Sequence, residues 1–143
     1  MNAGARPVSM YLLFACLVFQ GLSGLVGGFG LVGDPSGAAL RIPIGWLDGS
    51  PFENYLIPGL VLFLALGVVP LAVVYGLWTR RRLAWHAALL VGVALLVWLG
   101  VEIVVIGYQA EPPFQLIYGS VGAAIVALSM LPSLREHFSP RRR

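Results

Sequence analysis

The stretch LAWHAALLVGVALLVWLGVEIVVIGY (residues 83–108) decides the fold class, because it runs for 26 residues with one carboxylate, Glu102, and no lysine or arginine. At the helical rise of 1.5 Å per residue, about 20 apolar residues cross the roughly 30 Å hydrocarbon core of a bilayer. The strict alternation of polar and apolar residues that marks a membrane barrel strand is missing. The stretch therefore predicts a transmembrane helix.

Three further apolar runs lie at residues 8–32, 56–78 and 114–131. The whole chain is 59% hydrophobic and only 10% charged, whereas soluble domains carry about 25% charged residues. We therefore predict an all-α integral membrane four-helix bundle. It forms a single transmembrane domain over residues 1–143, with an outer loop at residues 33–55 and a basic cytoplasmic tail at residues 132–143.

The nine basic residues are all arginines, and eight of them fall on one side of the predicted spans. These eight are Arg6, Arg80, Arg81, Arg82, Arg135, Arg141, Arg142 and Arg143. The positive-inside rule puts this side, with both termini, in the cytoplasm. The excess of positive charge is thus a topology signal with some affinity for anionic lipid headgroups, and it does not indicate a nucleic-acid surface.

The connection at residues 33–55 is longer than the other two and combines turn signals with apolar anchors. Residues 34–37 (DPSG) and 48–51 (DGSP) are turn sequences that bracket a short segment. We expect an ordered loop that covers the outer mouth of the bundle, with Trp46 at the depth of the lipid headgroups.

Glu102 is the candidate functional residue, because intramembrane carboxylates are costly to expose to lipid and commonly mark functional sites. Trp98 and Gln109 lie on the same helical stripe. Other segments offer five more ligand-binding candidates, namely Gln20, Ser23, Tyr55, Gln115 and Tyr118. Since the apolar runs hold no lysine or arginine, we expect a neutral acid, buried against the first helix, that donates a hydrogen bond to Gln20 or to a ligand.

The sequence offers few groups for catalysis or metal binding. Cys16 is the only cysteine, which excludes an internal disulfide and a CxxC redox pair. His86 lies 16 residues from Glu102, which is about 24 Å along a helix and too far for a catalytic pair. No nucleophile elbow, phosphate loop or metal-ligand spacing occurs. We predict no catalytic residue, no metal and no cofactor.

Small residues give two of the runs a face for close helix packing. Gly24 and Gly28 form a G-x-x-x-G spacing, and Gly119, Ala123 and Ala127 form a ladder in the fourth run. The spacing leaves open whether these faces meet within one chain, in a homo-oligomer, or against a larger membrane-protein partner.

The segment GLVGDPSGAALRIPIGWLDGSPFENYLIPGLVLFLALGVVPL (residues 30–71) resembles an uncharacterised group of small four-helix bacterial inner-membrane proteins, through its DPSG and SPF pieces. The resemblance covers under a third of the chain and implies an architecture and a bacterial cytoplasmic membrane, but no activity. A looser likeness to four-helix sterol-isomerase-type membrane proteins rests on Trp98 and Glu102 alone, and the further acidic and histidine residues of that cavity are missing here.

Two functions of different classes are consistent with these features. The first is a binding or accessory protein, with an outward-opening amphipathic pocket for a lipid, isoprenoid or similar amphiphile, or with a surface for a membrane partner. The alternative is a small membrane enzyme or proton-coupled carrier that uses Glu102 as acid, base or proton site. The first is favoured, because acid–base chemistry usually needs a second group and proton coupling needs a path.

Overall fold

The computed structural model describes residues 5–139, and every regular element among them is helical. The prediction of an all-α protein is therefore confirmed. The α-helices are α1 (Val8–Gly33), α2 (Leu56–Phe63), α3 (Val69–Trp78), α4 (Ala84–Ile106), α5 (Phe114–Met130) and α6 (Pro132–Phe138). A π-helical turn, Leu64–Val68, joins α2 to α3 without a break.

Three helices are long and apolar enough to cross a membrane, namely α1, the continuous Leu56–Trp78 helix and α4. A fourth candidate is the pair of α5 and α6, bent by 58°. Large apolar side chains also point outward, and Val104 of α4 is 86% exposed. The prediction of a multi-pass membrane protein is thus confirmed in so far as three or four helical segments are long and apolar enough to span a membrane.

The helix order, which the sequence does not predict, follows from the packing. Helix α1 packs against the Leu56–Trp78 helix and against α5, while α4 packs against α3 and α5. Helices α1 and α4 therefore lie diagonally across from each other, and this separation decides which polar residues can meet.

Glycines bring α1 into close contact with the Leu56–Trp78 helix. A Cβ atom at Gly24 would clash with the carbonyl oxygen of Leu66, and one at Gly28 would lie 2.5 Å from the backbone nitrogen of Phe63. The small-residue face of α1 is therefore filled by a helix of the same chain, one of the alternatives that the G-x-x-x-G spacing left open.

Gln20 explains how the π-helical turn is tied to α1. Pro70 has no N–H, so the carbonyl of Leu66, four residues earlier, has no α-helical donor. The Nε2 atom of Gln20 donates to that carbonyl at 3.2 Å. The side chain is only 2% exposed, and the amide thus donates, inside the protein, a hydrogen bond to the carbonyl that loses its α-helical donor at Pro70.

One end of the molecule gathers Arg6, the turn between α3 and α4, and α6, and we call it the arginine-rich end. Residues 80–82 lie in that turn, where Arg80 adopts φ 57°. The backbone N–H of Arg81 donates to Gly76 at 2.9 Å, which closes the C-terminus of α3 in a Schellman motif. The opposite end, with residues 34–55 and 107–113, we call the loop end.

The residues expected to form a basic tail begin instead with helix α6. Pro132 starts this helix, a position that suits its fixed φ angle. Leu134 and Phe138, four residues apart, are buried in the core cluster that also contains Met10 and Leu77. This spacing puts both side chains on one face, so α6 closes the arginine-rich end of the core. Residues 140–143 of the expected tail lie outside the described residues.

Residues 34–55 contain two short 3-10 helices, Ala38–Leu40 and Ile44–Leu47. Leu47 and Tyr55 are buried against Leu31 of α1. The Tyr55 hydroxyl donates to the carbonyl of Pro43 at 2.7 Å, and its backbone N–H donates to that of Pro35 at 2.8 Å. These contacts give the loop a defined conformation.

Asp34 holds the first turn of this loop. Its carboxylate accepts the Ser36 hydroxyl at 2.6 Å and the backbone N–H of Ala39 at 2.9 Å. These hydrogen bonds keep the pKa of Asp34 below its ordinary value, mainly through Ser36. Because this pKa is lowered, the Asp34 hydrogen bonds stabilise the folded protein fully at pH values above the ordinary pKa of about 3.9. Their contribution to the free energy of unfolding is lost as the pH falls through the pKa of Asp34 in the folded protein.

We expect Asp34→Ala to raise the rate of protease cleavage within residues 34–55 at neutral pH, because the turn loses three acceptor contacts. Asp48→Ala is the matched control, since the Asp48 carboxylate accepts no hydrogen bond from residues 5–139. For the unmodified protein, hydrogen exchange at Ala39 should quicken, relative to a loop amide outside this turn, only below about pH 3.9. Equal cleavage of both variants would contradict this account of the turn.

Candidate functional site

Glu102 lies half-buried in α4, near the loop end. It is four residues from Ile106, the last residue of α4, or about 6 Å along the helix. Gln115 Nε2, from α5, donates to Glu102 Oε1 at 3.2 Å. The Trp98 indole lies one turn earlier in α4, on the same face of the helix as the carboxyl group. Glu102 is thus the acceptor of the Gln115 hydrogen bond.

Gln115 organises this site and is only 5% exposed. Its Oε1 atom accepts the backbone N–H of Gln109 at 2.8 Å, which sets the orientation of the amide. The Nε2 atom then donates both to Glu102 and, at 3.1 Å, to the carbonyl of Gly107. One side chain therefore joins α5 to the end of α4 and to the turn that follows it.

Two other sequence candidates lie beside this pair. The Gln109 side chain donates to the carbonyl of Ile106 at 2.9 Å and helps to close the end of α4. Tyr55, from the loop, is close enough that the Glu102 charge adds to the effect of burial in raising the pKa of the tyrosine hydroxyl. Glu102, Trp98, Gln109 and Gln115 thus form one polar cluster, which we call the Glu102 cluster, and Tyr55 lies near it.

The remaining candidates lie around or away from the Glu102 cluster. Tyr118 is one turn along α5 from Gln115 and stacks on Phe19 of α1, with ring centroids 5.8 Å apart. Ser23 lies half-buried on α1, and no hydrogen bond among residues 5–139 joins it to Glu102. Gln20 donates to Leu66 and not to the acid. The expected contact between Glu102 and Gln20 is therefore wrong, because α1 and α4 lie diagonally and α5 supplies the partner.

In the observed hydrogen bond, Gln115 is the donor and Glu102 is the acceptor. That Glu102 is a neutral acid that donates to a ligand stays a prediction. Within the part of the chain that the structure describes, no arginine forms an ion pair with this carboxylate. Arg41 lies in the loop, and no hydrogen bond or ion pair among residues 5–139 joins it to Glu102. Within these residues, Glu102 accepts a hydrogen bond from a neutral donor and has no cationic partner.

Two surface depressions among the described residues lie away from Glu102. One, of about 390 Å³, is an apolar groove between Leu25, Val26, Phe29 and Phe63. The other, of about 520 Å³, lies at residues 79–83 of the arginine-rich end. Over residues 5–139, no three His, Cys, Asp or Glu side chains cluster as they would around a metal ion.

Gln115 is one of several candidates in the sequence, and no sequence pattern selects it. The Leu66 carbonyl is not among those candidates, although the proline four residues later is a sequence signal for it. Comparisons with protein-family models, curated proteins and solved structures give no match. The geometry of the chain itself therefore carries the functional argument.

Proposed function

We propose that this protein is a membrane binding or accessory protein whose Glu102 cluster receives the polar head of a lipid, isoprenoid or similar amphiphile. The single observation that carries the proposal is the state of Glu102, a half-buried carboxyl group that accepts from Gln115 and has no cationic partner among residues 5–139. A buried carboxylate without a cation is costly. A ligand whose hydroxyl or amino head donates to Glu102 would offset that cost.

The surroundings of Glu102 suit an amphiphile. Phe19 and Phe114 are 45% and 57% exposed, and both rings contact Tyr118, one turn from Gln115. We propose that an apolar tail lies along these aromatic rings, while the polar head reaches Glu102 from the loop end. Aromatic side chains near the interface bind such molecules well because they combine a large apolar area with few rotamers.

The arrangement across the membrane is part of the proposal. We place four spans, namely α1, the Leu56–Trp78 helix, α4 and α5, as a bundle in a bacterial inner membrane with both termini cytoplasmic. The gathering of Arg6, residues 80–82 and Arg135 at one end, with Arg41 at the other, supports this orientation. Membrane lipids are then the immediate partners, and a homo-oligomer or a larger membrane protein would have to use the outward apolar surface.

Cysteine labelling in a Cys16→Ser background tests the orientation. Asp48→Cys, at the loop end, should react with a membrane-impermeant thiol reagent in intact cells, whereas Thr79→Cys, at the arginine-rich end, should react only after the membrane is opened. Both positions are exposed, so access depends on sidedness. The reverse pattern would invert the topology and would put the Glu102 cluster on the cytoplasmic side.

Native mass spectrometry of gently extracted protein tests the ligand. We expect an amphiphile of defined mass on the unmodified protein and its loss from Glu102→Leu. Glu102→Gln should keep the fold, because its amide oxygen still accepts from Gln115, and should retain a hydroxyl-headed ligand. Glu102→Leu also leaves the Gln115 N–H without its acceptor, at a cost of about 1–3 kcal/mol.

The control variant is Ser120→Ala, which lies on an exposed part of α5 and removes only a bond to Leu116 within its own helix. This variant should carry the same amphiphile as the unmodified protein. An identical adduct on Glu102→Leu would contradict the proposal, as would unmodified protein that carries no amphiphile beyond bulk phospholipid.

A further inference from the structure

The arginine-rich end contains a feature that the Glu102 cluster does not use, namely two exposed arginines beside a surface depression. The depression is lined by residues 79–83. The side chains of Arg81 and Arg82 form no hydrogen bond or ion pair with any other residue in the described range 5–139. Arg80, in the same turn, has a further interaction.

Other cationic and donor groups surround this turn. The Arg6 guanidinium stacks on the Trp78 ring at 3.9 Å and donates to the Trp78 carbonyl at 2.9 Å. Arg135, from α6, lies over the ring of Trp85, 5.6 Å from its centroid. Trp78 lies just before the turn and Trp85 just after it. The two stacked arginines therefore lie next to the turn.

Helix α6 brings further positive charge to the arginine-rich end. Leu134 and Phe138 fix its apolar face in the core, and this brings Arg135 and His137 to the same end as Arg6. The Nε2 atom of His137 is buried and has no hydrogen-bond partner within the described chain. Glu136 is the one carboxylate of α6 and is exposed, so the local charge stays positive.

We propose that the arginine-rich end binds the phosphate of one anionic phospholipid in the depression of residues 79–83, with Arg81 and Arg82 as its principal contacts. Guanidinium groups recognise phosphate through paired N–H donors. Tryptophans such as Trp78 and Trp85 favour the depth of lipid headgroups, which is where the phosphate of a neighbouring lipid lies. The inference rests on the membrane setting of the chain and not on the ligand proposed for Glu102.

Reconstitution into nanodiscs of mixed phosphatidylcholine and phosphatidylglycerol tests the site, with native mass spectrometry as the readout. The unmodified protein should retain one phosphatidylglycerol under activation that removes phosphatidylcholine. A basic residue near an anionic surface contributes about 1 kcal/mol, or about fivefold. The pair Arg81→Gln and Arg82→Gln should therefore reduce retention about 25-fold, and the pair Arg81→Lys and Arg82→Lys should restore most of it.

A charge-matched control separates a built site from diffuse attraction. The pair Arg142→Gln and Arg143→Gln removes the same charge from the same predicted side of the membrane. This pair should reduce the retention of phosphatidylglycerol far less. Equal losses from both pairs would overturn the proposal, as would equal retention of the two lipids by the unmodified protein. Displacement of the lipid by excess inorganic phosphate would instead identify a site for a free oxyanion and would refute the lipid assignment.

Discussion

Replacing Gly24 with alanine is expected to lower the thermal unfolding midpoint of the protein by about 10 °C. A Cβ atom at this position would clash with the backbone carbonyl of Leu66, and a backbone group cannot move aside as a flexible side chain would. Overpacking commonly costs about 1–3 kcal/mol and occasionally more. For a clash with backbone we expect a net cost of about 3 kcal/mol, after subtracting the roughly 1 kcal/mol by which alanine favours a helix over glycine. For a chain of this size, about 1 kcal/mol corresponds to roughly 3 °C.

Gly100→Ala is the matched control for Gly24→Ala. Gly100 also lies inside a long helix, α4, but a Cβ atom there meets no atom within 4 Å. Because alanine favours a helix over glycine by about 1 kcal/mol, this variant should unfold at the same temperature or a higher one. If both variants unfolded at the same temperature, α1 and the Leu56–Trp78 helix could not approach as closely as described.

Gln115→Leu is expected to produce a loss of stability of similar size. The substitution removes the acceptor of the Gln109 N–H and the donor to Gly107 and Glu102. Leaving a buried polar group without a partner costs about 1–3 kcal/mol, so a total near 3 kcal/mol is expected when part of the turn reaches water. The measurement is the thermal unfolding midpoint in a fixed detergent.

Two further variants separate the contributions of Gln115. Gln109→Leu removes a single side-chain bond to Ile106, and it should cost only about 1 kcal/mol. The double variant with Gln115→Leu and Glu102→Leu should lose less unfolding free energy than the sum of the losses of the two single variants. Each single variant leaves the partner group without its hydrogen bond, whereas the double variant removes both groups. Strict additivity would mean that Glu102 and Gln115 do not interact.

The positions of the helices could be predicted from hydropathy, because an apolar run of this length has few alternatives in lipid. The run at residues 83–108 becomes α4 (Ala84–Ile106), and the run at residues 8–32 becomes α1 (Val8–Gly33). Helix α6 was missed because seven residues are too few for a span, although Pro132 and the spacing of Leu134 and Phe138 are signals for a short amphipathic helix.

The partner of Glu102 could not be predicted, because the choice between Gln20 and Gln115 depends on which helices are neighbours. Both glutamines were candidates, and the sequence carries no information on helix order that would separate them. The π-helical turn could not be predicted for the same reason. Pro70 is consistent with such a turn, but the hydrogen bond from Gln20 to the Leu66 carbonyl also requires α1 to lie beside it.

The most direct test of the account is fluorescence quenching of Trp98, which lies one helical turn from Glu102 in α4. To leave Trp98 as the only tryptophan, the other three, Trp46, Trp78 and Trp85, are replaced with phenylalanine, and the thermal unfolding midpoint checks that this variant still folds. Brominated amphiphiles are then added to the variant in phosphatidylcholine nanodiscs. A long-chain amine should quench saturably and about tenfold more tightly than a fatty acid of equal length, the factor expected from a charge-assisted hydrogen bond. Glu102→Leu should abolish this preference. Equal quenching by the amine and the acid, or a preference unchanged in Glu102→Leu, would contradict the proposal that Glu102 receives the polar head of an amphiphile.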